Sequence, residues 1–311
     1  MAEVLLFHSP YDDVTAWRAR FARELQDIEI RVWPDIGARK EIAYAFVEGM
    51  PEGEFTGLEN LKIIFSPGAG IDHLMRDPNL PPNVPITRNV QERMTLGMTQ
   101  YVALHALRHH RHMPQYQEQQ RRAQWREIAQ PGAWERRAGV MGLGAIGLSA
   151  AQALAGIGFR TAGWSRGPHT HPDIECFHGT DGLGAFLARS DILVCILPLT
   201  PETEGIVNAR TLGQLPEGAS FINLGRGRHV VEEDLLAALD SGRLSHATLD
   251  VFRAEPLPAS STFWRHPRVT VTPHRAGNSN RLLLIDQAIE NIGRLRAGRP
   301  LVNLADSRRG Y

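Results

Sequence analysis

The stretch Gly139-Val140-Met141-Gly142-Leu143-Gly144-Ala145-Ile146-Gly147 constrains this chain more than any other. An apolar run leads into it and an alanine-rich stretch, Ala145 to Ile157, leads away, so it reads as strand, glycine turn, helix. In such a turn Gly142 permits the tight bend, Gly144 leaves room for a pyrophosphate, and Gly147 lets the helix pack close to the strand. The first N–H groups of the helix, at Ala145, Ile146 and Gly147, are left unpaired and face the phosphates with a partial positive charge. A bare G-x-G-x-x-G also occurs in ordinary loops. Here the flanking elements are right, and a second strand at Arg160 to Trp164 follows two candidate helix caps, Gly156 and Gly158. A dinucleotide-binding βαβ unit is the expectation.

The alternation extends along the whole chain. Before the motif, strand candidates are Val4 to Phe7, Ile28 to Val32, Ala43 to Val47 and Leu61 to Phe65, with a helix at Thr15 to Leu25, and Val84 to Thr87 ends this first unit. From Arg137 to about residue 275 the strands are Gly139 to Met141, Arg160 to Trp164, Asp191 to Leu197, Ser220 to Leu224, Ala247 to Val251 and Val269 to Thr272. Helices are expected at Leu183 to Arg189, Ala209 to Leu215 and Glu232 to Asp240, the last stopped by Gly242. Strands alternating with helices predict an α/β protein with doubly wound parallel sheets. At 311 residues the chain is long enough for two cores. The amphipathic stretch Arg281 to Ala297 has no place in the second sheet and is expected to return to the first.

Charge and cysteine content narrow the class. Lys+Arg and Asp+Glu are both 34, giving no basic stripe for nucleic acid or an anionic membrane. Cys176 and Cys195 make no disulfide framework, and Cys195 lies in an apolar run, as a buried thiol would. The first ten residues lack a basic n-region, and no run approaches a transmembrane length, so a soluble, cytoplasmic protein is expected. Met94 to Trp125 reads as mostly helical, interrupted near Pro114, with His105, His109 and His112 on one face. No carboxylate or cysteine joins them and Arg108 and Arg111 crowd them, so a helix covering a boundary is the better reading than a metal site.

The residues just past successive strands carry the chemistry, because doubly wound sheets bind ligands at the carboxyl ends of their strands. An acid about 20 residues beyond the glycines usually holds the ribose 2′-hydroxyl of NAD. This chain has Trp164-Ser165-Arg166-Gly167 there and no acid until Asp173. Ser165 can donate to a 2′-phosphate and Arg166 can clamp it, which favours NADP over NAD. Arg226 stands between Gly225 and Gly227, placed to bind a carboxylate bidentately. Glu255 lies in Arg253-Ala254-Glu255-Pro256-Leu257, and His274 in Thr272-Pro273-His274-Arg275-Ala276-Gly277. Together these three make an acid, its tuner and an anion anchor. Ser66-Pro67-Gly68-Ala69-Gly70-Ile71-Asp72 is a second glycine turn. It reads either as a plain βα turn or as one whose Ala69 and Gly70 N–H groups bind a carboxylate.

At these residues the sequence resembles the D-isomer-specific 2-hydroxyacid dehydrogenases, and within them the glyoxylate/hydroxypyruvate reductase A type. The resemblance spans nearly the whole chain: Gly139 to Gly147, His112-Met113 with Tyr116-Gln117-Glu118-Gln119-Gln120, and Trp164-Ser165-Arg166. It continues through Leu197-Pro198-Leu199-Thr200-Pro201-Glu202-Thr203, Leu235 to Gly242, Leu249-Asp250-Val251-Phe252 and the ending Arg309-Gly310-Tyr311. It implies a Rossmann cofactor domain over 98–278 and a smaller flavodoxin-like substrate domain over 1–97, completed by 279–311. It also implies a homodimer to which the histidine-bearing stretch contributes, with no metal. Leu197, Pro198, Thr203, Leu224 and Gly225 would line the cofactor, and Asp250 would orient its nicotinamide. The implied reaction is NADPH-dependent reduction of small 2-keto acids such as glyoxylate or hydroxypyruvate. Arg226 with the Ala69 and Gly70 amides would hold the carboxylate, and His274 would act as general acid, oriented and kept charged by Glu255.

Three features depart from the family pattern: Arg275 after the histidine, Glu48 where close relatives tend to carry tryptophan, and the unassigned polar run 278–280. Two alternatives stay open on the same fold. One is a nucleotide-sensing, corepressor-like interaction protein. The other is a formate- or phosphite-type dehydrogenase, against which Glu255 argues because formate dehydrogenases carry glutamine there.

Overall fold

The structure is a computed structural model and describes residues 3–277 and 280–306. Arg309, Gly310, Tyr311 and Asn278, named above, lie outside the described residues. The chain divides into two compact units, residues 1–91 with 279–311, and residues 92–278.

The first unit opens with β1 (Glu3–His8), α1 (Val14–Glu24), β2 (Ile28–Val32), β3 (Ile42–Val47), β4 (Ile63–Phe65), the single turn α2 (Asp72–Met75) and β5 (Ile86–Thr87). The strands form a parallel sheet in the order β2-β1-β3-β4-β5. β1 and β3 are apolar at every central position because both faces are covered, as parallel sheets require. Leu5, Phe7, Tyr44, Phe46 and Ile63 point to one layer; Val4, Leu6, Ala45, Val47 and Ile64 point to the other.

The second unit begins with α3 (Glu92–His110) and α4 (Met113–Arg121). There follow β6 (Arg137–Met141), α5 (Ala145–Ile157), β7 (Arg160–Ser165), β8 (Glu175–His178), α6 (Gly179–Ala188) and β9 (Ile192–Cys195). α7 (Ala209–Gly213), β10 (Ala219–Asn223), α8 (Glu232–Asp240), β11 (Leu244–Leu249) and β12 (Val269–Val271) complete it. Its seven strands are all parallel, in the order β12-β11-β10-β9-β6-β7-β8. The direction of winding reverses between β6 and β9, so the glycine turn after β6 sits at the topological switch point.

The last helix, α9 (Leu282–Arg296), belongs to the first unit. Leu284, Ile285, Ala288 and Ile292 pack with Trp17 and Phe21 of α1 over one face of the five-stranded sheet. Each large side chain so buried contributes roughly 1.5–3 kcal/mol, which is why a segment so distant in sequence returns to the first sheet.

The long helix is interrupted near Pro114: the break falls at His112, in the left-handed region at φ 54°, and Pro114 sits in the first turn of α4, where proline is tolerated. The helical stretch ends at Arg121. β8 carries no apolar run, since it is the edge strand and only partly buried, and the hydrophobic pattern gave no sign of it. His105 and His109 turn inward and share Thr248 Oγ1, at 3.4 Å from His105 Nδ1 and 3.0 Å from His109 Nε2. Burial pushes them down to about 4 and about 3, so both are neutral core residues. Among the described residues no group of three or more His, Cys, Asp or Glu could hold a metal ion, and no helix is long and apolar enough to cross a membrane.

Candidate active site

The glycine turn is fixed by close approach. Gly142 has φ +102° and donates to Trp164 O at 2.7 Å; a Cβ there would lie 2.8 Å from Ile196 O of the neighbouring strand end. A Cβ on Gly147 would lie 1.7 Å from Gly142 O. Neither position admits any other residue. At Gly144, by contrast, nothing lies within 4 Å of an added Cβ, and no side chain caps α5. The first-turn N–H groups of Ala145, Ile146 and Gly147 therefore meet open space, a cradle that fits a pyrophosphate.

β7 ends in Ser165, buried, whose hydroxyl donates to Gly167 O at 2.8 Å. Its one proton is thus turned inward, contrary to the expected donation to a 2′-phosphate. Arg166 is exposed. Past β9, Leu197 is buried, while Thr203 Oγ1 donates to Pro198 O at 2.7 Å and accepts the Thr200 N–H at 2.8 Å. The Thr203 hydroxyl therefore shapes its own loop. Leu224 and Gly225 follow β10, both buried.

Arg226 is held from behind by a residue the sequence reading missed. Its N–H donates to His229 Nδ1 at 3.0 Å, and its carbonyl accepts Asn223 Nδ2 at 3.0 Å. His229 is fully buried; with Nδ1 accepting, its proton sits on Nε2, which donates to Pro198 O at 3.2 Å. Gly227 is required because an added Cβ would fall 1.9 Å from the Phe252 carbonyl carbon. That contact brings the Arg226 turn against the Phe252–Glu255 turn.

Glu255 and His274 meet directly, Oε2 to Nδ1 at 2.7 Å, while Glu255 Oε1 accepts the Phe252 N–H at 2.9 Å. Burial alone would raise the Glu255 carboxyl. The bonds from His274 and Phe252, with the charges of His274 and Arg226, outweigh it and hold the carboxyl below its ordinary value. His274 is left-handed at φ 53°, a conformation that costs a non-glycine residue about 1–2 kcal/mol. Asp250 holds it there. Its carbonyl accepts the His274 N–H at 2.8 Å, Oδ1 accepts Arg275 N at 2.8 Å and Thr272 Oγ1 at 2.5 Å, and Oδ2 accepts Ala276 N at 2.8 Å. Tyr101 OH lies 2.6 Å from Thr272 Oγ1 and extends the chain to α3.

In the first unit, the loop after β4 presents Gly68, Ala69 and Gly70 half-buried. Asn89, fully buried, ties it down through Asn89 N to Gly68 O at 2.9 Å and Nδ2 to Pro67 O at 3.0 Å. Among the described residues, the Ala69 and Gly70 N–H groups enter no hydrogen bond. Glu48, just past β3, is paired with Arg281 at 3.1 Å and lies 2.9 Å from Ser9 Oγ. Arg281 also pairs with Asp12. Its neighbour Asn280 accepts the Leu282 N–H at 3.1 Å through Oδ1, which gives that part of the unassigned polar run a role at the start of α9.

A seven-stranded doubly wound sheet with a glycine cradle at its switch point defines the class, a dinucleotide-fold oxidoreductase. Residues 103–276 match the model of the D-isomer specific 2-hydroxyacid dehydrogenase, NAD binding domain. A glyoxylate/hydroxypyruvate reductase A from Yersinia enterocolitica is 38% identical over 312 aligned residues, covering 99% of each chain. The chain belongs to the D-isomer-specific 2-hydroxyacid dehydrogenase family. Among solved structures, a family member from Xanthobacter autotrophicus in complex with NADPH and MES is 41% identical, with a TM-score of 0.92 and 100% of both chains covered. The NADPH-dependent glyoxylate/hydroxypyruvate reductase from Sinorhizobium meliloti, in complex with NADP and sulfate, is 37% identical with a TM-score of 0.89, again over 100% of both chains.

Proposed function

We propose that this protein is an NADPH-dependent reductase of small 2-keto acids. The observation that carries the reading is the Glu255–His274 pair at 2.7 Å, locked into place by Asp250, beside the Arg226 turn. The glycine cradle, Leu197, Pro198, Leu224 and Gly225 hold the dinucleotide. Arg166, exposed past β7 with no acid before Asp173, suits a 2′-phosphate. Bound reduced NADP supplies a hydride to the keto carbon of the substrate. Arg226 binds the substrate carboxylate and polarises the carbonyl. On the first unit, the Ala69 and Gly70 amides suit a substrate carboxylate. His274, with Nδ1 engaged by Glu255, holds the transferable proton on Nε2 and gives it to the developing alkoxide, so carbonyl, hydride and proton become the 2-hydroxy acid. Asp250 keeps the histidine loop in register.

The test is NADPH oxidation against a panel of 2-keto acids, with glyoxylate and hydroxypyruvate first, in wild type and His274→Ala. The variant is expected to lose roughly 10²–10⁴-fold in kcat. A wild type inactive on every keto acid, or a His274→Ala enzyme with full activity, overturns the reading.

The second unit also exposes the apolar side chains of Leu104 and Met113 on α3 and α4 and of Trp125 and Trp134 farther along the chain. A homodimer that covers them accounts for the exposure. Sedimentation equilibrium should give twice the 34.6 kDa of one chain, and a monomer at micromolar concentration contradicts the assignment.

A further inference from the structure

The cluster of Ser9, Asp12, Glu48 and Arg281 has no part in the reaction just described. We propose that Glu48, braced by Arg281 and Ser9, is a specificity-determining residue. It accepts a hydrogen bond from a hydroxyl on the far end of a 2-keto acid and, with Asp12, turns away 2-keto acids that carry a second carboxylate. The proposal rests on the reading that the Gly68–Gly70 loop takes the substrate carboxylate.

Placement is the first argument. β3 lies beside β4 in a parallel sheet, Glu48 is the first residue past β3, and the Gly68–Gly70 loop follows β4. Both therefore open on the same carboxyl edge of one sheet, where α/β proteins gather ligand groups. Ser9, the first residue past β1, and Arg281, at the start of α9, complete that edge.

Hydrogen-bond accounting is the second. Glu48 Oε2 accepts Arg281 Nη1 at 3.1 Å and lies 2.9 Å from Ser9 Oγ, whose one proton it shares with Asp12. Among the described residues Oε1 meets only Arg281 Nη2 at 3.4 Å, beyond the ordinary N–H···O range of roughly 2.7–3.2 Å. An ionised carboxylate has about four acceptor positions, so Oε1 retains capacity for an incoming donor. The Glu48 side chain is 27% exposed and reachable, whereas that of Asp12 is 2% exposed and serves from behind.

Charge is the third. Two carboxylates, Asp12 and Glu48, face one guanidinium, Arg281. Ser9 has one proton for two carboxylate oxygens, at 2.7 Å from Asp12 and 2.9 Å from Glu48. Burial pushes the Asp12 carboxyl above its ordinary value and the nearby Glu48 charge adds to the push, against the bonds from Ser9 and Arg281. The cluster is short of donors and surplus in negative charge. A hydroxyl remedies the shortage; a second carboxylate worsens the surplus. Glyoxylate offers neither donor nor length.

The experiment is kcat/KM with NADPH for hydroxypyruvate, glyoxylate and oxaloacetate in wild type, Glu48→Gln and Ser9→Ala. Wild type should favour hydroxypyruvate over glyoxylate by tenfold or more, the scale of one hydrogen bond to a charged acceptor, roughly 10–100-fold. Glu48→Gln should cut that ratio about tenfold, through KM, and raise oxaloacetate relative to hydroxypyruvate. Ser9→Ala should move both ratios the same way by less, because it loosens the acceptor without removing it. Unchanged ratios in folded Glu48→Gln overturn the proposal, as does a wild type that takes oxaloacetate as well as hydroxypyruvate. Should Glu48→Gln fail to fold, unchanged ratios in Ser9→Ala have the same force. A wild type active on 2-keto acids but indifferent to the hydroxyl defeats this assignment alone; a wild type inactive on all three defeats the reductase reading with it.

Discussion

Asp250 and Glu48 are both carboxylates set one residue past a buried parallel strand, β11 and β3, and they do opposite work. Asp250 is buried, and both its oxygens are filled from within by Thr272, Arg275 and Ala276. Glu48 is partly exposed and has one oxygen nearly unused. The carboxyl edge of a parallel sheet thus carries two kinds of acid. One has both oxygens on close donors of its own loop, at 2.5–2.8 Å; the other has an oxygen whose donor among the described residues stands 3.4 Å away. Sequence position does not separate them, since each simply follows an apolar run. The closeness of the donors to each oxygen does.

The largest effect expected from this contrast is at Asp250. Replacing one of its oxygens by an amide group in Asp250→Asn sets a donor against donors at a buried site, which should cost roughly 2–4 kcal/mol of stability. With the left-handed His274 less firmly held, kcat/KM should fall by a further tenfold to a hundredfold, since each 1.4 kcal/mol of misplacement is a factor of about ten. Glu48→Gln should change stability by less than about 1 kcal/mol, as substitutions at partly exposed ion pairs do. Urea unfolding of the two variants measures both. Equal destabilisation would erase the distinction between scaffold and selector.

The same contrast explains what the sequence made legible. The glycine turn and the doubly wound sheets announce themselves through motif and alternation, whereas Arg226, Glu255 and His274 gain meaning only as a set. The return of α9 to the first sheet was readable from its apolar face, which had no other partner. What stayed hidden were contacts set by tertiary geometry. His229 looks like any histidine in a turn until its buried Nδ1 is seen accepting the Arg226 N–H. Glu48 gave no sign in the sequence of its partner, which is Arg281. Seven residues after His274, Arg281 already belongs to the first unit, and no local pattern encodes that crossing. Ser165 suggested a phosphate donor by its place in the motif, yet its proton goes to Gly167.

Glu255 stands between the two kinds of acid and gives the smallest, sharpest test. One oxygen is scaffold, on the Phe252 N–H at 2.9 Å; the other meets the His274 ring at 2.7 Å. Its carboxyl is held below the ordinary value of 4.5, burial being outweighed by those bonds and by the charges of His274 and Arg226. A folded-state value below the unfolded one means that the carboxylate's contribution to stability is fully present above about pH 4.5 and is lost as pH falls through the folded value. Glutamine has no such titration. The stability advantage of wild type over Glu255→Gln should therefore be level from neutral pH down to about 4.5 and shrink below it. The side chains of the pair are 35% and 49% exposed, so solvent screens the interaction and the advantage should stay below about 1 kcal/mol. Urea midpoints for both proteins across that pH range decide the matter. An advantage that grows on acidification would mean that Glu255 folds as the protonated acid, with burial the stronger effect, and a neutral Glu255 could not hold His274 as the charged proton donor.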